Sequence, residues 1–184
     1  TDEIFSRQVY PRECQSSMDY WTKTITEEFD EEHAVWLLAT ETDSATGNAT
    51  IQGYLKWVAP HDVKWQDADE EGYPPEGNPE LAVAYYKGIF AGHEKLMEGR
   101  LHWYLDMMGV RRTAQGKGLA KQMVDWGVER SDRDGVPCYV DAAGQSMSYY
   151  KRFGFEIQEK MRFVSPQGDV DVYFMVREPK AKGQ

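Results

Sequence analysis

A glycine-bearing turn between an apolar segment and an amphipathic segment restricts the fold of this chain more than any other feature of its sequence. Residues 104–110 are apolar except for Asp106, and helical periodicity begins after Gly118. Gly116 and Gly118 have no Cβ, so the backbone there can take positive φ and approach a ligand closely. The first N–H groups of a helix have no partner within it and attract anions. The sequence therefore predicts a strand, a phosphate-binding turn and a helix, in that order.

Two common nucleotide-binding motifs do not fit this turn. A P-loop has Gly, four residues, Gly-Lys and then Ser or Thr, but Arg111 stands at the first glycine position and Gly118 at the hydroxyl position. The dinucleotide fingerprint requires Gly or Ala at the position that Lys121 occupies. Both classes of site are therefore excluded here.

Two blocks of sequence together resemble the GNAT superfamily of acyl-CoA-dependent N-acyltransferases. The first is Gln-x-x-Gly-x-Ala at residues 115–120, and the second is an apolar stretch at 135–141 followed by Tyr-x-x-x-Gly-Phe at 150–155. The resemblance extends over roughly residues 34–176 and is best over 101–155. Within the family, the sequence looks closest to the puromycin acetyltransferase type.

The resemblance implies a single acyltransferase domain over residues 1–184, of the α/β class and α+β type. Its sheet is expected to be twisted, mixed and mostly antiparallel, flanked by helices, with two central strands that splay apart. Acetyl-CoA is implied as cosubstrate, with its pantetheine paired to backbone groups of Met108, Gly109 and Val110 as an added strand would be. The residues implied for the pyrophosphate are Gln115, Gly116, Lys117, Gly118, Leu119, Ala120 and Lys121. An ordinary strand-to-helix turn is the alternative interpretation of these glycines.

Transfer of an acetyl group to an amine needs a stabilised oxyanion and a proton for the departing thiolate. The backbone N–H of Met108 is the candidate for the oxyanion. Tyr150, four residues before Gly154, matches the general acid of the family, and a phenol of pKa about 10 can protonate a thiolate of about 8.5. Tyr149 points about 100° away on a helix, so only one of the two should face the sulfur. The alternative for Tyr150 is an aromatic packed in the core.

The group that accepts the amine proton has two candidates. By motif spacing, the carboxylate position of several family members falls near Trp103, which cannot act as a base. Asp141 matches an acidic position in other members and is our first choice, and Asp106 is the second. The alternatives are that Asp141 caps a loop or helix and that Asp106 pairs with an arginine such as Arg111 or Arg112.

Composition narrows the partners. The formal net charge of −10 disfavours nucleic acid, which requires clustered Lys and Arg, and agrees with a cationic acceptor. No segment approaches the roughly 20 apolar residues of a membrane span. Cys14 and Cys138 lie far apart in the sequence, which favours a reducing, cytoplasmic compartment over a disulfide framework. No metal site is predicted, because ligand spacing is absent around His33, His61, His93 and His102.

The expected partner is therefore a small-molecule amine, bound by a monomer or a homodimer. No Cys or Ser stands beside a base in these motifs, so direct attack in a ternary complex is expected. A protein Lys or N-terminal acetyltransferase and a non-catalytic acyl-CoA sensor remain as alternatives. The acidic opening does not resemble a secretory signal, and the absence of Met before Thr1 suggests that the chain begins inside a longer product.

The remaining patterns predict the elements around these blocks. Residues 13–29 read as an amphipathic helix with Met18, Trp21, Ile25 and Phe29 on its apolar face. Residues 61–79 are acidic and form either a solvated loop or a lid that selects a cation. The family's opening strand is expected to be missing, because residues 4–10 are poorly patterned and Pro11 follows. Strands are predicted at 34–40, 50–59, 101–110, 136–141, 155–164 and 170–176, and further helices at 81–97, 116–133 and 145–153.

Overall fold

A computed structural model describes residues 4–62 and 72–181 of the chain. Within these residues, six strands form one open sheet: β1 (Ala34–Thr42), β2 (Ala49–Val58), β3 (Trp103–Val110), β4 (Cys138–Ala143), β5 (Glu156–Phe163) and β6 (Val170–Arg177). The helices are α1 (Ile4–Val9), α2 (Gln15–Phe29), α3 (Pro79–Met97), α4 (Leu119–Asp134) and α5 (Met147–Lys151). The strand order is β1-β2-β3-β4-β6-β5, and only the β3–β4 pair is parallel. The predicted mixed, mostly antiparallel sheet is confirmed.

Strand alternation divides the core into two layers, one on each face of the sheet. Trp103 and Leu105 of β3 pack in the layer that also receives α4 and α5. Tyr104 of β3 contacts the opposite layer, where Tyr139 of β4 packs with α1 and α3. Side chains two residues apart on one strand therefore share a face.

The central strands β3 and β4 separate after a short parallel pairing. Three register pairs join them, and the last is Leu105 with Val140. The register between β2 and β3 shifts beside Asp106, which has no counterpart on β2 and forms a β-bulge. Beyond these positions no backbone pairing joins β3 to β4, and a gap opens between the two strands. The predicted splay of central strands is therefore present.

Helices α1 and α2 precede the sheet in the chain. Residues 4–9 form a helix, in the segment where the family's opening strand was expected to be missing. The apolar face predicted for α2 is wrong at its ends, because Met18 is 60% exposed and Phe29 is 53% exposed. Helix α2 instead turns Ser17 and Glu28 towards the protein, and Glu28 contacts a buried lysine described below.

Helix α3 begins at Pro79, two residues before the predicted 81–97 segment, and the side chain of Asn78 caps it by accepting a hydrogen bond from the N–H of Leu81 at 2.9 Å. The acidic segment before it falls partly outside the described residues, at 63–71. Its described end packs against α1, where a Cβ on Gly77 would lie 2.1 Å from the carbonyl oxygen of Val9. No helix among the described residues has both the length and the apolar character needed to cross a bilayer.

Candidate functional site

The glycine turn has the geometry of an open anion site. Gly116 and Gly118 have φ values of 78° and 80°, in the left-handed region that favours glycine. A Cβ at either position would meet nothing within 4 Å, so the space beside the turn is open. Gly118 is the N-cap of α4 and provides no capping side chain. The predicted positions from Gln115 to Lys121 therefore surround uncapped helix N–H groups that suit a pyrophosphate.

Side chains at both ends of the turn add to this geometry. The amide nitrogen of Gln115 donates to the carbonyl oxygen of Val110 at 3.2 Å and ties the turn to the end of β3. Lys117 is exposed, and Lys121 pairs with Asp125 one helical turn later at 2.5 Å. A cavity of about 330 Å³ runs along α4 and is flanked by Lys121 and Arg152. Positive charge is thus available beside the turn.

The peptide groups of β3 alternate between β2 and the gap. The N–H of Arg111 donates to the carbonyl of Gln52 at 2.8 Å, and hydrogen-bonded pairs alternate with non-bonded pairs along an antiparallel ladder. The N–H and C=O groups of Val110 and of Met108 therefore point away from β2 and into the gap, whereas the N–H and C=O of Gly109 point to β2. Of the three strand positions expected to pair with pantetheine, two present backbone groups to the gap.

Tyr150 lies on the α4 and α5 side of the sheet. Its side chain is 5% exposed, and its ring contacts those of Phe155 and Tyr149 at centroid distances of 5.9 and 5.7 Å. Burial raises the pKa of Tyr150 above its ordinary value, so the phenol keeps its proton at neutral pH. The hydroxyl of Tyr149 is also buried and has no hydrogen-bond partner among the described residues. Both neighbouring phenols thus lie in this layer.

Asp141 lies on the opposite face, immediately after the last residue that β4 pairs with β3. The hydroxyl of Tyr104 donates to its Oδ2 at 3.1 Å, and the hydroxyl of Tyr139 donates to its Oδ1. Burial raises the pKa of Asp141 to about 7, although the two phenol hydrogen bonds act to lower it. The capping alternative is wrong, because Asp141 lies within β4 and its carboxylate accepts from these phenols.

Asp106 belongs to a charged cluster around Lys56 of β2. The ammonium of Lys56 lies 3.0 Å from the Asp106 carboxylate, 2.8 Å from Glu28 and 3.0 Å from Glu31. The alternative for Asp106, a pair with an arginine such as Arg111 or Arg112, gives way to a pair with Lys56, while the Arg111 side chain donates to the carbonyl of Ile51 at 2.6 Å.

The pKa shifts in this cluster show that the lysine stays charged. Burial acts to lower the pKa of Lys56, but the surrounding carboxylates raise it above its ordinary value overall. Burial raises the pKa of Asp106 despite the nearby ammonium. Asp106 is thus held beside a permanent cation, whereas no cation pairs with Asp141 among residues 4–62 and 72–181.

Sequence reasoning missed two groups at this site. Lys56 interrupts the apolar run of β2, and a charge within a buried strand was a usable signal. His93 of α3 and His102 lack metal-ligand spacing in the sequence, and their contact was not predicted, yet their Nε2 atoms are 2.6 Å apart. Helix α3 and the turn after it bring these rings together, which residue spacing alone does not reveal.

The arrangement places different chemistry on the two faces of the gap. A buried phenol lies in the layer beneath α4 and α5, and carboxylates lie in the layer beneath α2 and α3. A thioester held in the gap would have a proton donor on one side and a proton acceptor on the other. The peptide N–H of Met108 points into the same space.

Comparisons with known proteins agree with this architecture. The family model described as an acetyltransferase (GNAT) domain matches residues 10–165. An uncharacterized N-acetyltransferase of Schizosaccharomyces pombe is 28% identical over 83 residues, which cover 45% of this chain and 34% of that protein. The match thus spans about a third of that relative's length.

Solved structures share the fold at low sequence identity. A Corynebacterium glutamicum structure described as histone acetyltransferase HPA2 and related acetyltransferase has a TM-score of 0.60 at 16% identity, covering all of this chain (100%) and 86% of its own. Arabidopsis thaliana NAA60 in complex with a bisubstrate analogue has a TM-score of 0.55 at 14% identity, covering 97% of this chain and 90% of its own.

Proposed function

The chain belongs to the GNAT acetyltransferase family, and from that premise we propose that it transfers the acetyl group of acetyl-CoA to an amine. The observation that carries the proposal is the gap between β3 and β4, which ends at the open glycine turn. A free strand edge suits the amides of pantetheine, and an uncapped helix N-terminus suits the pyrophosphate.

The residues proposed to hold acetyl-CoA follow the gap and the turn. Backbone groups of Met108 and Val110 pair with the pantetheine, and Gly109 sets the strand's close contact with Tyr54. A Cβ on Gly109 would lie 2.7 Å from the Tyr54 ring. The pyrophosphate is held by the residues of the turn: Gln115, Gly116, Lys117, Gly118, Leu119, Ala120 and Lys121. Acetyl-CoA supplies an activated thioester, and the chain supplies position, charge and proton transfer.

Asp141 is the proposed proton acceptor for the amine. A carboxylate of pKa about 7 is suited to accept a proton near neutral pH. Asp106 is the second choice, because the ammonium of Lys56 at 3.0 Å favours its charged form and competes for its oxygens. Once the proton has left, the amine lone pair attacks the carbonyl carbon.

Tyr150 is the proposed general acid, and the N–H of Met108 stabilises the developing oxyanion. As the C–S bond breaks, the phenol gives its proton to the departing thiolate. The attacking nitrogen then loses its extra proton to form the neutral amide, and the phenolate of Tyr150 takes a proton back. Burial holds the pKa of Tyr150 above that of an ordinary phenol, so the phenol starts the reaction protonated.

Direct attack in a ternary complex is proposed in preference to an acyl-enzyme. Cys138 is fully buried, and burial raises the pKa of its thiol to about 11. A buried thiol is a poor nucleophile because the thiolate is the reactive form. The acetyl group therefore passes from thioester to amine without a protein adduct.

A small cationic amine is the proposed acceptor, bound by a monomer or homodimer. The carboxylates of Glu28, Glu31 and Asp106 exceed the single charge of Lys56, which supports a positively charged partner. The likeness to the puromycin acetyltransferase type stays a prediction from sequence. Acetylation of a protein is the second candidate, since the Corynebacterium glutamicum structure described as histone acetyltransferase HPA2 and related acetyltransferase shares this fold.

Calorimetry with acetyl-CoA, followed by a thiol-release screen, tests the proposal. The screen compares small polyamines, aminonucleosides, lysine peptides and peptides with free N-termini as acceptors. We expect binding of acetyl-CoA and thiol release with at least one amine of the small class. Release with peptides alone would favour the protein acetyltransferase, and binding without release on any acceptor would favour the sensor.

A further inference from the structure

We propose that Tyr104 and Tyr139 are positioning residues for the reaction, because their hydroxyl groups together hold the Asp141 carboxylate in one orientation at the edge of the gap. The inference rests on the proposed function, in which Asp141 accepts the amine proton. It assigns neither phenol a contact with the substrate.

The two phenols reach Asp141 from neighbouring strands. Tyr104 of β3 and Tyr139 of β4 are register partners, and Tyr139 stands two residues before Asp141 on the same face of β4. Each hydroxyl donates to a different carboxylate oxygen. Rotation of the carboxylate would therefore break at least one hydrogen bond, and the pair fixes its orientation.

The tyrosine rings are themselves held by His93 of α3. The imidazole stacks on the Tyr139 ring at a centroid distance of 3.8 Å and meets the Tyr104 ring edge-on at 4.7 Å. Tyr139 is completely buried. The rings cannot swing away from Asp141 without opening this packed layer.

The tautomers of the two histidines follow from their partners. His102 Nδ1 lies 2.6 Å from the carbonyl oxygen of Arg100, which can only accept, so Nδ1 carries the proton. His102 Nε2 must then accept from the Nε2–H of His93. Burial lowers the pKa of both imidazoles, that of His93 to about 2. Burial thus favours the neutral form of both imidazoles behind the phenols.

The groups around Asp141 oppose one another in their effects on its pKa. Burial is the largest influence and raises the pKa, the two phenols lower it, and the charge of Asp106 raises it. The described elements packed around Asp141 present several groups to it or to its two phenols. From the neighbouring strands these are Tyr104 and Asp106 of β3, Lys56 of β2 beside Asp106, Glu159 of β5 and the uncharged Phe174 of β6. From α3 they are His93 and Tyr85. Loss of either phenol hydroxyl should therefore raise the pKa of Asp141.

The pH dependence of kcat/KM for acetyl transfer tests the inference. We expect Tyr139→Phe and Tyr104→Phe each to shift the acidic limb of the profile to higher pH by about one unit, the usual effect of losing one hydrogen bond to a carboxylate. Tyr86→Phe is the matched control, because it removes a hydroxyl from the same layer that lies 3.0 Å from that of Tyr10. The acidic limb of the pH profile of this control should stay at the same pH as in the unsubstituted protein.

A titration of the Asp141 carboxyl carbon by NMR, without substrates, separates this inference from the proposed function. The signal absent from Asp141→Asn identifies the residue. If the midpoint shifts upward in these variants but the protein transfers no acetyl group, the two phenols do hold the Asp141 carboxylate and the proposed enzymatic function is wrong. An unchanged midpoint in both variants would overturn the inference whatever the activity. If Tyr139→Phe does not fold, Tyr104→Phe alone decides.

A double variant supplies the last check on positioning. In the Asp141→Asn background, Tyr139→Phe should change the rate less than twofold, since the phenol acts through the missing carboxylate. A further loss of tenfold or more would contradict a role exerted through Asp141.

Discussion

Tyr149 and Tyr150 are adjacent tyrosines in the same layer, and only Tyr150 is proposed as a proton donor. Replacing Tyr150 by Phe retains the ring contacts with Tyr149 and Phe155 and removes the proton. We expect Tyr150→Phe to lower kcat on the order of 10²-fold, the low end for loss of a general acid. Steady-state thiol release measures it, with Tyr149→Phe as the neighbouring control. An unchanged rate from pH 6 to 9 would remove Tyr150 from the mechanism.

Asp141 should also shape the pH dependence of stability. Its folded pKa is raised from 3.8 to about 7, so the folded protein binds this proton more tightly than the unfolded chain does. Its stabilising contribution is therefore complete below about pH 4 and is lost as the pH rises through 7. The asparagine side chain of the variant Asp141→Asn cannot ionise. Between pH 5 and pH 8, the free energy of unfolding of the unsubstituted protein should therefore fall by about 1–3 kcal/mol more than that of the variant. Urea unfolding at three pH values measures this, and parallel profiles would refute it.

For the glycine turn before α4, a pair of glycine substitutions can separate the effect of backbone strain from the effect on ligand binding. Gly118→Ala forces a Cβ into the left-handed region and should cost about 1 kcal/mol of stability. Its methyl group also projects into the open space beside the turn, so the affinity for acetyl-CoA should fall about tenfold, equivalent to about 1.4 kcal/mol. Gly135→Ala is the matched control, because Gly135 ends the same helix with φ of 71° and has open space around it. Equal loss of affinity in both variants would mean that the turn does not contact the cofactor.

The cluster around Lys56 joins α2 to the bulge of β3. Its side chain is 4% exposed and contacts three carboxylates, so Lys56→Met leaves those charges without their shared partner. We expect a loss of about 2–4 kcal/mol at pH 7, with faster hydrogen exchange at the end of α2. The loss should shrink towards pH 4, because burial raises the pKa of Glu28 and of Asp106 and both then take up protons. Lys95→Met, which removes an exposed pair with Glu159, should cost less than about 1 kcal/mol. Equal losses in the two variants would contradict a buried role for Lys56.

At the scale of the whole molecule, the sequence predicted what depends on local patterns. Glycine positions and strand alternation predicted the order of elements, and the two motif blocks predicted the family and the splayed sheet. Tyr139 could also have been assigned to Asp141, because residues two apart on a strand share a face. The site residues themselves stay predictions until the variants above are measured.

Long-range contacts explain what the sequence did not predict. The Lys56 cluster depends on the register of β2 against β3 and on the bulge at Asp106, and neither follows from spacing. The apolar face assigned to α2 is wrong at its ends: Met18 and Phe29 are exposed and Glu28 contacts Lys56, while Trp21 still packs against the core. Polar groups gathered at a site thus override the periodicity that ordinarily orients a helix.

The central claim is that an acetyl group crosses the gap between β3 and β4 directly, from thioester to amine. A single-turnover experiment with the protein in excess over acetyl-CoA tests it most directly, using an amine identified by the screen and mass spectrometry of both protein and product. We expect acetyl-CoA to stay intact without the amine, and thiol and acetylated amine then to appear at equal rates while the protein stays unmodified. Thiol release before the amine is added, with the acetyl group retained on Cys138 or another side chain, would contradict it.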